Sequence, residues 1–188
     1  MSNEVELASL DLRYEGFRLQ APWVEERLLA AIAQRGIEQP LEGVDLAGAD
    51  GLGAAPGVRA LLNGFKRYRC ARKLRLATVP YLSLGQDEAA AILGLLRAAN
   101  DRSLSLLEQA AFIDELKNAR HLSVAEIAAQ LCRSKAWVTM RLGLLAQMSP
   151  AVRQQLFAGA FPVYSYPEFD LDFIHYSCAE LGWIAQSP

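Results

Sequence analysis

The stretch SVAEIAAQLCRSKAWVTMRLGLL, Ser123–Leu145, decides how the chain folds. Ser123 followed three residues later by Glu126 is a capping box, a reciprocal pair of hydrogen bonds that opens a helix over 124–131. Ser134 caps a second helix over 135–146. Two short helices that cross sharply need a small residue where they touch, and Ala128 supplies it. Cys132 takes the tight turn, where glycine is commoner, and Val138 follows as an apolar wedge. Ile127 and Leu131 complete the inner face. This spacing predicts a helix-turn-helix. Its second helix would turn Ser134, Lys135, Trp137, Thr139, Met140 and Arg141 outward. Ser134 and the helix N-terminus suit a backbone phosphate. Lys135 and Arg141 suit phosphates or guanine edges, and Thr139 a hydrogen bond or a thymine methyl. Trp137 has a plainer use, packing on Lys135. The bland alternative is a helical hairpin with a polar outer face.

The same punctuation extends to both sides. Ser105 with Glu108 opens a helix over 106–118, and Ser149-Pro150 opens another over 150–158, ended by Gly159. Upstream the pattern changes. Leu7–Leu19 reads as a strand or an extended entry, and Pro22–Gln34 as a helix stopped by Gly36. Ile37–Leu41 is a short extended piece. Gly43–Gly57 reads as a loop with a strand remnant at Val44–Leu46. Val58–Asn63 is a buried strand broken by Gly64, Phe65–Leu76 a helix, Thr78–Leu82 a strand, and Asp87–Arg97 a helix with an acidic start. This alternation predicts an α/β (α+β) domain over 1–100, followed by an all-α helix-turn-helix domain over 101–160. Residues 161–188 form an aromatic tail, broken by Pro162 and Pro167, whose role the sequence leaves open.

Composition narrows the class. The net charge of −2 does not argue against a nucleic-acid partner, since a local basic patch suffices. Three widely spaced cysteines (Cys70, Cys132, Cys178) show neither CxxC nor metal-ligand spacing, which points to a reducing, cytoplasmic setting without a structural metal. No apolar run approaches a membrane span, and Met1–Glu6 is no signal peptide.

The sequence also carries a one-sided charge run. Between Gly51 and Gln86 no acidic residue occurs, while Arg59, Lys66, Arg67, Arg69, Arg72, Lys73 and Arg75 all fall there. Asn63–Arg69 sits at a strand-to-helix junction. There a glycine lets the backbone approach a ligand, and open helix N–H groups favour an anion. Lys66 and Arg67 bring charge, and Arg69 brings a bidentate fork for phosphate. The alternative is a solvated basic helix. Neither a P-loop nor a GxGxxG pattern is present.

Taken in order, these motifs resemble the ParB partition-protein family within the wider ParB/sulfiredoxin superfamily, from about Leu10 to Gly159. The family's helix and Gln-Pro strand resemble Val24–Gly36 with Gln39-Pro40. Its G-E-R-R-x-R-A box resembles Gly64–Cys70. The stretch A-x-x-x-G-L-x-x-V-P is similar to Ala71–Pro80, and P-L-E-E-A to Leu106–Ala110. The resemblance implies a nucleotide, CTP or ATP with Mg2+, held at its phosphates by Gly64, Lys66, Arg67 and Arg69. Gln39 and Pro40 would shape the pocket wall, and Asn100 is the one match to the E-N-x-Q-R motif. It also implies double-stranded DNA as partner, a partition ATPase, a homodimeric clamp, and a place on the nucleoid or a plasmid. The box glutamate is Phe65 here, its alanine is Cys70, and Glu42 stands where an arginine commonly follows the Gln-Pro strand. The sulfiredoxin branch has its reactive cysteine where this chain has Phe65, so thiol catalysis is not expected.

The leading expectation is a DNA-binding protein acting in partition or transcriptional control. Competing readings are a nuclease or weak NTPase of the same fold, and an inhibitory protein acting on DNA transfer. The acids a nuclease would need (Asp45, Asp50, Asp87, Glu88, Asp101, Glu108) are scattered. His121 and His175 have no triad context.

Overall fold

The computed structural model describes residues 3–20, 22–47, 57–99 and 104–159. Two units meet between Ala98 and Ala99. In the first, β1 (Asn3–Glu6), β2 (Leu10–Asp11), β3 (Leu41–Leu46), β4 (Val58–Asn63) and β5 (Thr78–Ser83) form one sheet in the order β1-β5-β3-β4-β2. β3 runs parallel to β5 and antiparallel to β4, while the outer strands β1 and β2 pair antiparallel and parallel respectively. The run Ala60-Leu61-Leu62 on β4 is wholly buried, as expected of a strand covered on both faces. Helices α1 (Pro22–Arg35), α2 (Phe65–Lys73) and α3 (Glu88–Ala98) complete the unit, α2 packing on α1 and on β3, and α3 on β3. Leu41, Val44, Cys70, Ala71, Val79 and Ile92 close the core between sheet and helices, all with no exposed surface.

Two expectations are corrected here. The strand remnant expected at Val44–Leu46 is the end of β3, a six-residue strand that begins at Leu41 and lies at the centre of the sheet. Gly43 hid it. A Cβ at Gly43 would collide with the Ala60 carbonyl and stand 2.7 Å from the Tyr81 hydroxyl, so close approach, not turning, selects the glycine. The entry expected over Leu7–Leu19 is also not one strand. A 3-10 turn at Leu7–Ser9 separates β1 from β2, and a second lies at Glu15–Phe17.

The described residues of the second unit form α4 (Leu106–Asn118), α5 (Val124–Gln130), α6 (Lys135–Ala146) and α7 (Pro150–Phe157). Both capping boxes form, Ser105 with Glu108 and Ser123 with Glu126, and Ser134 and Ser149 accept from the third residue of their helices. α4 packs on α5 and α6, and α5 on α6. Ile127 and Val138 are fully buried, with Ala128 and Leu131 close behind, so the inner face expected of Ser123–Leu145 is in place. Among the described residues no helix is long and apolar enough to cross a membrane.

Helices α2 and α5 end alike. The Leu76 N–H reaches the Ala71 carbonyl and the Arg75 N–H that of Arg72; Arg133 to Ala128 and Cys132 to Ala129 repeat the pattern. These are Schellman ends, which place one residue in the left-handed region. Here the residues are Arg75 (φ 56°) and Cys132 (φ 53°) instead of glycine. Arg75→Gly and Cys132→Gly should therefore each stabilise the protein by about 1 kcal/mol. Thermal unfolding would show this as a rise of roughly 2–4 °C in Tm for each variant, and an unchanged or lower Tm would contradict it.

Candidate functional site

In the first unit the site is built around the start of α2. Gly64 precedes the helix with φ 99°, and a Cβ there would press on Leu41 at 3.1 Å, so conformation and space both demand glycine. No side chain caps the helix, which leaves its first N–H groups open toward whatever approaches. Asn63 sets the approach. Its amide donates to Glu42 Oε2 at 2.7 Å while its Oδ1 accepts from the Gly64 N–H at 2.9 Å.

The cations of the run then separate by what they touch. Arg67 donates from Nη1 to the carbonyls of Gln39 and Pro40, both at 2.6 Å. The structure thus joins Gln39, Pro40 and Arg67 through backbone carbonyls. Burial holds the Arg67 guanidinium below its ordinary value; Glu42 opposes this and Arg18 adds to it. A half-buried cation beside open helix N–H groups makes a place that suits an anion. Lys66 is half-buried at the same helix start.

Arg69 behaves differently from the expectation. Its Nε donates to Glu25 Oε1 at 3.0 Å and its Nη1 to Glu15 Oε1 at 2.8 Å, with only 14% of the side chain exposed. The fork expected to hold phosphate holds two carboxylates instead. Those partners raise the Arg69 pKa despite burial. Nothing local in the sequence marks them, since they lie 44 and 54 residues away. Cys70 is buried behind this pair, its Sγ donating to the Glu25 carbonyl at 3.6 Å, and burial pushes its thiol up, away from thiolate. Asn100 lies outside the described residues, as do Asp50, Asp101, His175 and residues 161–188. Among the described residues no three His, Cys, Asp or Glu side chains gather to hold a cation.

In the second unit the expected surface is the outer face of α6. Ser134, Lys135 and Thr139 are exposed, and Met140 is 58% exposed. Trp137 and Arg141 are half-buried. Two arginines lie against Trp137, which was expected to pack on Lys135. The Arg141 guanidinium stacks 3.4 Å from its ring centroid and that of Arg133 lies 5.5 Å away. Arg141 also donates from Nε to Gln109 Oε1 on α4 at 3.0 Å. Burial, and then Arg133, lower its pKa to about 10, so it remains a cation at neutral pH. Glu15, Glu25, Glu42, Gln109 and Arg133 are the participants that sequence reading missed.

No family model matches the chain. A probable chromosome-partitioning protein ParB from Vibrio cholerae is 28% identical over 163 residues, covering 83% of this chain and 53% of its own. The chain therefore spans about half the length of that relative. Among solved structures, a Pnob8-like ParB-N domain matches with a TM-score of 0.51 at 13% identity, covering 97% of this chain and 82% of its own. The C-terminally truncated chromosome-partitioning protein ParB from Caulobacter crescentus, complexed with CTP-γ-S, gives 0.41 at 23% identity over 87% and 88% of the two chains.

The Arg69 assignment has a direct consequence. Arg69→Ala would strand the buried Glu25 carboxylate, and should cost about 3 kcal/mol of stability. Urea unfolding would report the loss, and a midpoint within error of the unmodified protein would show that the pair is not structural. In sequence the chain is similar to the Vibrio ParB protein, and its fold is similar to that of the Pnob8-like ParB-N domain.

Proposed function

We propose that this chain is a ParB-like DNA-binding protein of partition or transcriptional control, engaging duplex DNA through a helix-turn-helix formed by α5 and α6. The observation that carries this reading is the outer face of α6. Ser134 caps a helix whose exposed start bears Lys135 and Thr139, while Val138 on the opposite side is fully buried. From Ile127 to Gly159 the chain has no Asp or Glu, whereas Arg133, Lys135, Arg141 and Arg153 all fall there. A cationic helix start without acids suits a phosphate backbone, and the exposed side chains just behind it suit base edges. Arg141 supports this face by holding Trp137 and Gln109.

The reading includes a nucleotide, CTP or ATP, at the start of α2. The open N–H groups of α2, Lys66 and Arg67 would take its phosphates, Gly64 would admit them, and any Mg2+ would be carried by the triphosphate. Arg69 is left out of that set by its carboxylate partners. A homodimeric clamp and a partition ATPase as partner belong to the same proposal.

Fluorescence anisotropy with labelled duplex across a salt series tests the DNA assignment. Lys135→Ala should weaken binding and reduce the slope of log K against log salt by about 1. An unaltered slope and affinity would remove α6 from the interface. Calorimetry with CTP and with ATP, each with Mg2+, tests the nucleotide assignment. Lys66→Ala should weaken binding about tenfold, the loss of one charge-assisted contact. If neither nucleotide binds the unmodified chain, the α2 start is not a nucleotide site.

A further inference from the structure

α6 presents a continuous outer strip that extends past the residues placed against phosphate. At about 100° per residue, Lys135, Ala136, Thr139, Met140 and Gly143 fall on one side of the helix. The first four are exposed, and Met140, at 58%, is the most exposed of the large apolar side chains among the described residues. Past Lys135, what this strip offers is methyl groups, the Thr139 hydroxyl and bare backbone.

Two further facts bear on its use. Arg141, the α6 side chain best suited to a guanine edge, is engaged on the other side of the strip. It stacks on Trp137 and bonds to Gln109, and reaching a base would break both contacts. Among the described residues nothing crowds Gly143. A Cβ built there meets nothing within 4 Å, and a glycine inside a helix lowers its stability relative to alanine. A bare position beside Met140 and Ala136 instead lets a surface outside the chain come close to the helix.

We infer that α6 reads DNA sequence through thymine methyl groups, contacted by Met140, the Thr139 methyl and Ala136, and not through an arginine–guanine pair. This rests on the proposed DNA-binding reading and deepens it. The major groove exposes one methyl per thymine, and an apolar side chain distinguishes it from cytosine without any hydrogen bond. Lys135 at the helix start would tether the phosphate next to the strip.

Selection from a randomised duplex pool with the full chain gives the preferred site. Each thymine in it is then replaced by deoxyuridine, which removes only the methyl. Binding should weaken about threefold to tenfold at the contacted positions. Met140→Ala should erase most of that difference at one or more of them while leaving Tm unchanged, because the side chain is exposed. If a site is selected but deoxyuridine binds as well as thymine throughout, or Met140→Ala keeps the full difference, methyl readout is wrong and the DNA-binding reading stands. If no sequence is enriched and no duplex binds, both fail.

Discussion

The Arg69 guanidinium, held between Glu25 and Glu15, is the contact on which the first unit turns. It joins α2 to α1 and to the 3-10 turn at Glu15–Phe17, elements that the chain forms far apart. A buried ion pair adds little net stability compared with apolar packing, but losing one partner is expensive, so such a pair fixes register more than it deepens the fold. Register is what the α2 start needs. Gly64 is pressed against Leu41, and Arg67 must reach the carbonyls of Gln39 and Pro40. A helix rotated by one residue would lose the Arg69 pair and the Arg67 contacts together.

Charge is partitioned in the same manner in both units. The basic run of α2 divides into a buried structural cation, Arg69, a half-buried one, Arg67, and exposed ones, Arg72, Lys73 and Arg75. In α6, Arg141 is taken up by Trp137 and Gln109 while Lys135 stays exposed. An arginine fork is well suited to such internal duty, because it stacks and bonds in a plane while keeping its charge. The exposed charge is left to Lys73 and Lys135, together with Arg72 and Arg75. A count of basic residues therefore overstates what each surface can offer an anion.

Local chemistry was legible in the sequence and long-range pairing was not. Ser105, Ser123, Ser134 and Ser149 announce their helices because a cap is a contact between residues three apart. Val58–Asn63 and Thr78–Leu82 read as strands from their apolar runs, and Gly64 as the break between strand and helix. Only the Val44–Leu46 end of β3 was legible as a strand, because its glycine and its charged Glu42 and Asp45 imitate a loop, although Leu41 and Val44 are fully buried. The partners of Arg69 and Arg141 escaped for a different reason. Glu25 and Gln109 lie 44 and 32 residues from them, and nothing in the intervening sequence encodes the meeting. The Arg69 fork was accordingly read as free for phosphate when the fold had a use for it.

Glu42 shows how finely the α2 start is balanced. It occupies a strand position beside the site, accepts from Asn63, and pulls the Arg67 pKa up while burial and Arg18 push it down. A carboxylate so close subtracts from the potential that an incoming phosphate would feel, and an arginine at 42 would add to it. Yet Glu42 also holds Asn63, whose Oδ1 is bonded to the Gly64 N–H and orients the peptide at the helix start. Field strength at the helix start is thus exchanged for order in its backbone groups. Binding there would draw on aligned N–H groups and on Arg67 more than on summed charge, and such directed contacts are weakened less by salt than a diffuse cationic patch would be.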